Sequence, residues 1–123
     1  MSVLGELQPN KVFKYFEEIC SIPHGSRNLQ QISDYLVDFA KAHELKYRQD
    51  EDLNVIIWKD GSKGYEASEP VILQGHMDMV AVKEADCDKN MEKEGLDLEI
   101  NGDYISAKGT SLGGDDGIAV AYT

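Results

Sequence analysis

His76 and Asp78 stand two positions apart, just after the run Val71-Ile72-Leu73-Gln74-Gly75, and are the first pair in this sequence whose types and spacing suit catalysis. In extended backbone, residues i and i+2 leave the same face, so the Asp78 carboxylate can accept a hydrogen bond from one imidazole nitrogen of His76. The other nitrogen is then held as a lone-pair donor, the usual preparation of a metal-binding histidine. Alone, His-x-Asp equally describes a strand-end histidine beside a surface aspartate. A second cluster, Gly113-Gly114-Asp115-Asp116-Gly117, precedes the apolar run Ile118-Ala119-Val120-Ala121-Tyr122. Adjacent carboxylates repel, and a cation is the usual remedy. A carboxylate can also bridge two metal ions about 3.5–4 Å apart, as in two-metal hydrolases. An isolated Gly-Asp turn capping the next helix fits the same residues.

The elements that must position these groups read as α/β. Val71-Ile72-Leu73, running into Gly75, predicts a buried strand ending at a loop, and chemistry in α/β folds sits past the carboxyl ends of strands. Upstream, Val12, Phe13, Phe16, Ile19 and Cys20 share one face of a helix over residues 10–20. Leu29, Ile32, Tyr35, Leu36, Phe39 and Ala40 do so over 28–43, with Asn28 as a cap. From Leu45 the period becomes two, and Leu45–Gln49 with Asn54–Lys59 predicts a hairpin. Leu96–Ile100 and Asp103–Ala107 predict another, with Asn101-Gly102 supplying a type I′ turn. The regular helix carrying Ile118 is expected to start near Gly117. The expected scaffold is a mixed, twisted sheet with helices packed on it.

Three rival sites are weaker. Asp86-Cys87-Asp88-Lys89-Asn90 imitates an EF-hand start, but position six is Met91 where the turn wants Gly and position twelve is Asp97 where Glu is expected. Gly109-Thr110-Ser111-Leu112-Gly113 matches the serine-hydrolase elbow, yet the apparent helix begins several residues too late and no histidine follows Ser111. A phosphate-cradling loop is disfavoured by two carboxylates where donors are needed. His24 lies in the Ser21–Ser26 loop and reads as surface, with approach to a substrate as the sharper alternative. His43 reads as a favourable or solvated side chain at a helix C-terminus.

The 123 residues allow at most one domain, and the net charge of −11 opposes phosphate-rich partners, so neither nucleic acid nor an anionic membrane is expected as a partner. The same balance suits cation binding. The first residues lack a basic region and an apolar core of a signal peptide, and no apolar run approaches ~18 residues. A cytoplasmic protein is expected. Cys20 and Cys87 are too few and too far apart for a disulfide framework or a Cys-rich zinc site, so reduced thiols are expected.

Taken together, the strand ending in His76-Met77-Asp78-Met79-Val80 and the later Leu112-Gly113-Gly114-Asp115-Asp116-Gly117-Ile118 resemble the co-catalytic zinc dipeptidases related to carnosinase, carboxypeptidase G and aminoacylase. Within these, Leu4–Gln8, Ile19–His24 and Gly102–Ala107 resemble the bacterial aminoacyl-histidine (Xaa-His, β-alanyl-histidine) dipeptidases. The resemblance covers nearly all of the chain. It implies that His76 is a terminal zinc ligand, that Asp115 bridges two zinc ions, and that Asp78, a catalytic-site residue, orients His76. It implies a cis peptide bond before Asp116, and two Zn2+ in the full-length enzyme, with Mn2+ or Co2+ as substitutes. The sequence departs from the pattern at Gly117, where many members carry Lys.

In that family a Glu-Glu pair about thirty residues beyond the bridging aspartate supplies the general base and a further ligand, and a later acidic residue and histidine complete the site. The chain reaches Thr123 inside an apolar helical pattern. Residues 1–123 are therefore expected to be the N-terminal part of a catalytic domain whose remainder and lid lie elsewhere in a longer enzyme. Expected of the whole is hydrolysis of Xaa-His dipeptides, and of this piece inactivity with weak or partial metal occupancy. Other readings are a two-metal amidohydrolase for tripeptides, longer peptides or N-acyl amino acids, and a non-catalytic module that binds metal or forms homo-oligomers through an apolar edge.

Overall fold

Pro9 fixes the backbone just before a stretch with one apolar face, and the first helix, α1, runs from Asn10 to Cys20. The computed structural model describes all residues, Met1–Thr123. Phe16, Ile19 and Cys20 are the buried face of α1. The second helix, α2, spans Gln30–Ala42. It is followed by β1, Lys46–Gln49, and β2, Val55–Trp58, paired antiparallel with Lys46 opposite Trp58 and Gln49 opposite Val55. The second predicted hairpin is β3, Leu98–Asn101, with β4, Tyr104–Ala107. The last helix, α3, is Gly114–Tyr122.

The chain divides into two units. One comprises Met1–Ile32 with Gln74–Thr123, and the other Ser33–Leu73. In the first, α1 packs on α3: a side chain at Gly117 would meet the Phe16 ring at 3.4 Å and Ile19 at 3.8 Å. Leu4, Met79, Leu98, Ala107 and Ala121 are buried in this unit as well. Burying such side chains is worth about 1.5–3 kcal/mol each for the larger ones and is what holds so short a chain together. In the second unit the fully buried Ser33 donates its hydroxyl to Leu53 O and accepts from the Gln49 amide, which ties the start of the helix to the hairpin.

Two local expectations differ from the structure. The chain over Val71–Leu73 forms no ladder, and these side chains are exposed, Ile72 to 88%. Apolar, β-branched residues favour a strand only where a neighbouring strand supplies backbone partners and a covering layer, and none does here. The sheet is accordingly two separate antiparallel hairpins, with parallel pairing confined to a bridge between Gly25 and Met79. In the β3–β4 hairpin Asn101 pairs with Tyr104, so the two-residue loop is Gly102-Asp103. Only Gly102 has positive φ, 61°, as a type II′ turn requires. The Asn28 side-chain amide donates to Glu92 O.

Candidate metal centre

Two segments of the first unit meet at His76. From one side, α3 approaches so closely that a side chain at Gly75 would lie 3.1 Å from Asp116 Oδ2 and 3.3 Å from Ala119 and Val120. The absence of a side chain there lets the His76 N–H donate to Asp116 Oδ2 at 3.1 Å. The Asp115–Asp116 peptide is cis, as the resemblance implied, and both residues have non-helical backbone, so regular helix begins only at Gly117. Asp115 is thereby separated from its neighbour in direction: Asp116 serves the His76 backbone, and Asp115 faces the His76 ring.

The ring lies between two carboxylates. Nδ1 is 3.0 Å from Asp78 O and 3.1 Å from Asp78 Oδ1. A backbone carbonyl can only accept, so Nδ1 carries a proton and donates. Nε2 is 3.0 Å from Asp115 Oδ1. The hydrogen bond to Asp115 is the main cause that raises the His76 pKa; slight desolvation opposes it, and Asp78 adds to it. Asp78 is held below the usual carboxylate range, first by a hydrogen bond from Ser26 and then, against a desolvation penalty, by the His76 ring.

With Nδ1 committed, Nε2 and Asp115 Oδ1 share whatever cation lies between them. A proton fills that role at low pH, and a metal ion has the same claim on the two lone pairs. Zinc takes nitrogen and carboxylate ligands at about 2.0–2.2 Å, and two such donors on one tetrahedral ion stand about 3.3–3.6 Å apart. The donor types suit zinc, and the pair, 3.0 Å apart as a hydrogen bond, would have to open by a few tenths of an ångström to share an ion. No group of three or more His, Cys, Asp or Glu side chains gathers anywhere in the chain to complete a cage. The Asp115 side chain is 95% exposed, which leaves its second oxygen open.

The rival sites are occupied by structural roles. Ser111 donates its hydroxyl to Val80 O at 2.6 Å and accepts from the Val82 N–H at 3.1 Å, pinning the segment after the site rather than presenting a nucleophile. In the acidic loop Asp97 pairs with Lys89 at 3.0 Å, so the calcium-like spacing is closed by the chain's own cation. His24 is not surface but 2% exposed; Nδ1 donates to Ile22 O at 2.7 Å, and burial depresses its pKa. His43 is exposed and donates to Phe39 O in the last turn region of α2. Missing from the sequence-based set is Ser26, whose Oγ donates to Asp78 Oδ2 at 2.6 Å from 52 positions away. Neither spacing nor periodicity announces such a contact.

No protein-family model matches the chain. It is 38% identical over 121 residues to the cytosol non-specific dipeptidase of Escherichia coli (strain K12), an alignment covering 98% of this chain and 25% of that protein. Its structure is similar to the crystal structure of an aminoacylhistidine dipeptidase from Vibrio alginolyticus, with a TM-score of 0.93 and 37% identity over 98% of this chain and 24% of the other. Both relatives are thus dipeptidases, and the chain spans about a quarter of the length of each. In fold, this chain is similar to the N-terminal part of that aminoacylhistidine dipeptidase structure.

Proposed function

We propose that this chain is the N-terminal part of the catalytic domain of a cytoplasmic, zinc-dependent dipeptidase acting on Xaa-His dipeptides, with His76 and Asp115 as metal ligands. The observation that carries the reading is the 3.0 Å approach of His76 Nε2 to Asp115 Oδ1, with Nδ1 already committed to Asp78. When bound, zinc supplies Lewis acidity, polarising the scissile carbonyl and acidifying water. Asp78 keeps the Nδ1 proton in place and so presents the Nε2 lone pair. Asp116 fixes the backbone of His76 through its N–H. Asp115, with its second oxygen open to solvent, is the group able to reach a second cation.

Hydrolysis also needs a base that takes a proton from water, within hydrogen-bond reach. Asp78 is engaged by Ser26 and His76, Asp116 by the His76 N–H, and Asp115 by the ring. The one open oxygen, on Asp115, is the one assigned above to a cation, so the 123 residues alone should bind metal weakly and not turn over. A second reading, self-association of this piece, is favoured by the exposed Val71-Ile72-Leu73 run. Concentration-independent monomeric mass in solution would remove it.

The test of the enzymatic reading is histidine release from β-alanyl-histidine by the full-length gene product, with and without a chelator. Chelator-sensitive release abolished by His76→Ala and by Asp115→Asn is expected. Zinc binding without release would move the substrate to another dipeptide, a tripeptide or an N-acyl amino acid.

A further inference from the structure

A short strap, Pro23–Ser26, runs beside the segment that follows His76. The Met79 N–H donates to His24 O at 3.0 Å and the Ser26 N–H donates to Met79 O at 2.9 Å, bracketing the parallel bridge between Gly25 and Met79. A side chain at Gly25 would come within 2.8 Å of Ala81 Cβ, so glycine is what allows the strap to lie this close. The result is that Ser26 Oγ reaches Asp78 Oδ2 at 2.6 Å, the length of a hydrogen bond from a hydroxyl to an ionised carboxylate. Met79 O, at 3.3 Å, is the more distant acceptor for the same hydroxyl.

We propose that Ser26 is a positioning residue for the metal ligand His76, acting through Asp78; the role rests on the metal reading given above. The two oxygens of Asp78 divide their work, Oδ2 taking the Ser26 proton and Oδ1 facing His76 Nδ1. One hydrogen bond leaves a carboxylate on a rotatable side chain free to turn toward water. Two, from opposite sides, fix its plane. Without the hydroxyl, the Asp78 carboxylate keeps only its own backbone N–H and the ring it should orient, and the ring keeps the Asp78 backbone carbonyl as its one fixed acceptor at Nδ1. The backbone bonds of the strap do not involve the hydroxyl, so its removal leaves the strap in place.

Loss of a group bonded directly to a ligating histidine typically lowers metal affinity 10–100-fold. Ser26 stands one bond further out, and Asp78 O remains, so a loss of about three- to tenfold is expected. The experiment is a zinc competition titration against a chromophoric chelator on the 123-residue chain as wild type, Ser26→Ala, Ser26→Thr and His76→Ala. It is paired with the exchange rate of the His76 Nδ1 proton in the zinc-loaded chain by 15N-edited spectroscopy. The positioning role predicts weaker binding and faster Nδ1 proton exchange in Ser26→Ala, recovery of both in Ser26→Thr, and unchanged backbone amide spectra. Wild-type affinity and exchange in Ser26→Ala, while His76→Ala loses zinc, would overturn the role of Ser26 and leave the metal reading standing. Wild-type affinity in His76→Ala would overturn the metal reading and the Ser26 role with it. Equal losses in Ser26→Ala and Ser26→Thr, with shifted amides across the strap, would also overturn it by showing a packing effect.

Discussion

His76 Nε2 and Asp115 Oδ1 lie 3.0 Å apart although 39 positions separate them in the chain. The approach depends on Asp116, one residue on, holding the His76 N–H, and on α3 lying directly against Gly75. Two adjacent aspartates thus do different work. Asp116 places the histidine, and Asp115 shares its ring nitrogen.

That sharing fixes a pH dependence. The His76 pKa is raised above its ordinary 6.5, chiefly by Asp115. A raised histidine contributes its ion pairing fully below the unfolded pKa and loses it as pH rises through the folded pKa. On the proposed metal reading zinc would compete for the same nitrogen, so metal affinity should run the other way, rising with pH through that raised value. In Asp115→Asn the ring should titrate lower than in wild type, as followed by the pH dependence of its ring proton shifts.

Glu17 anchors the N-terminal segment. Its carboxylate accepts from the Ser2 hydroxyl and from the N–H groups of Val3 and Leu4, and Leu4 is buried. Desolvation pushes the Glu17 pKa up, but the three hydrogen bonds outweigh it and the net shift is downward from 4.5. A depressed carboxylate stabilises above its unfolded pKa and loses that contribution as pH falls through the folded one. Glu17→Ala should therefore lower stability by about 1–2 kcal/mol at neutral pH, after allowance for solvent, and by progressively less below pH 4.5. Urea unfolding at the two ends of that range measures both.

Helices and hairpins were legible because their information is local. The apolar face Phe16, Ile19, Cys20 repeats at helical spacing within α1, and β1 with β2 alternates at period two across an Asp-rich turn. The pairing of His76 with Asp78 was legible from their two-residue spacing, whereas the approach of Asp115, 39 positions on, was indicated only by the family resemblance. Ser26 was not, since a serine in a Pro-Gly loop has many uses and its partner lies 52 residues away. Val71-Ile72-Leu73 reads as a strand by composition, yet a strand exists only with neighbours, and local sequence does not say whether they are present. His24 looked like a loop residue because nothing nearby shows that the strap folds back onto Met79 and buries it.

The strap offers a packing test. Gly25→Ala places a methyl group 2.8 Å from Ala81 Cβ, and overpacking of this kind costs about 1–3 kcal/mol. Ala81→Gly removes the opposing atom. The two substitutions together should be less destabilising than the sum of the singles by about 1 kcal/mol, the coupling expected for residues in contact. Additive effects in a double-mutant cycle of unfolding free energies would mean that the strap does not lie against Ala81.

The two thiols should behave differently. Burial pushes the Cys20 thiol up to about 12, with Glu17 adding to the effect, whereas Cys87 is only partly buried. In the native chain an aromatic disulfide reagent should modify Cys87 and leave Cys20 unreacted until denaturant is added. Peptide mapping after limited labelling distinguishes them.

Zinc titration of the 123-residue chain with His76→Ala and Asp115→Asn tests the central claim most directly. Wild type should bind zinc measurably, and each substitution should weaken binding by at least about tenfold, as loss of one of two ligands requires. The double substitution should be no worse than the poorer single, because neither donor holds the ion alone. Zinc binding of wild-type strength in both single variants would contradict the account.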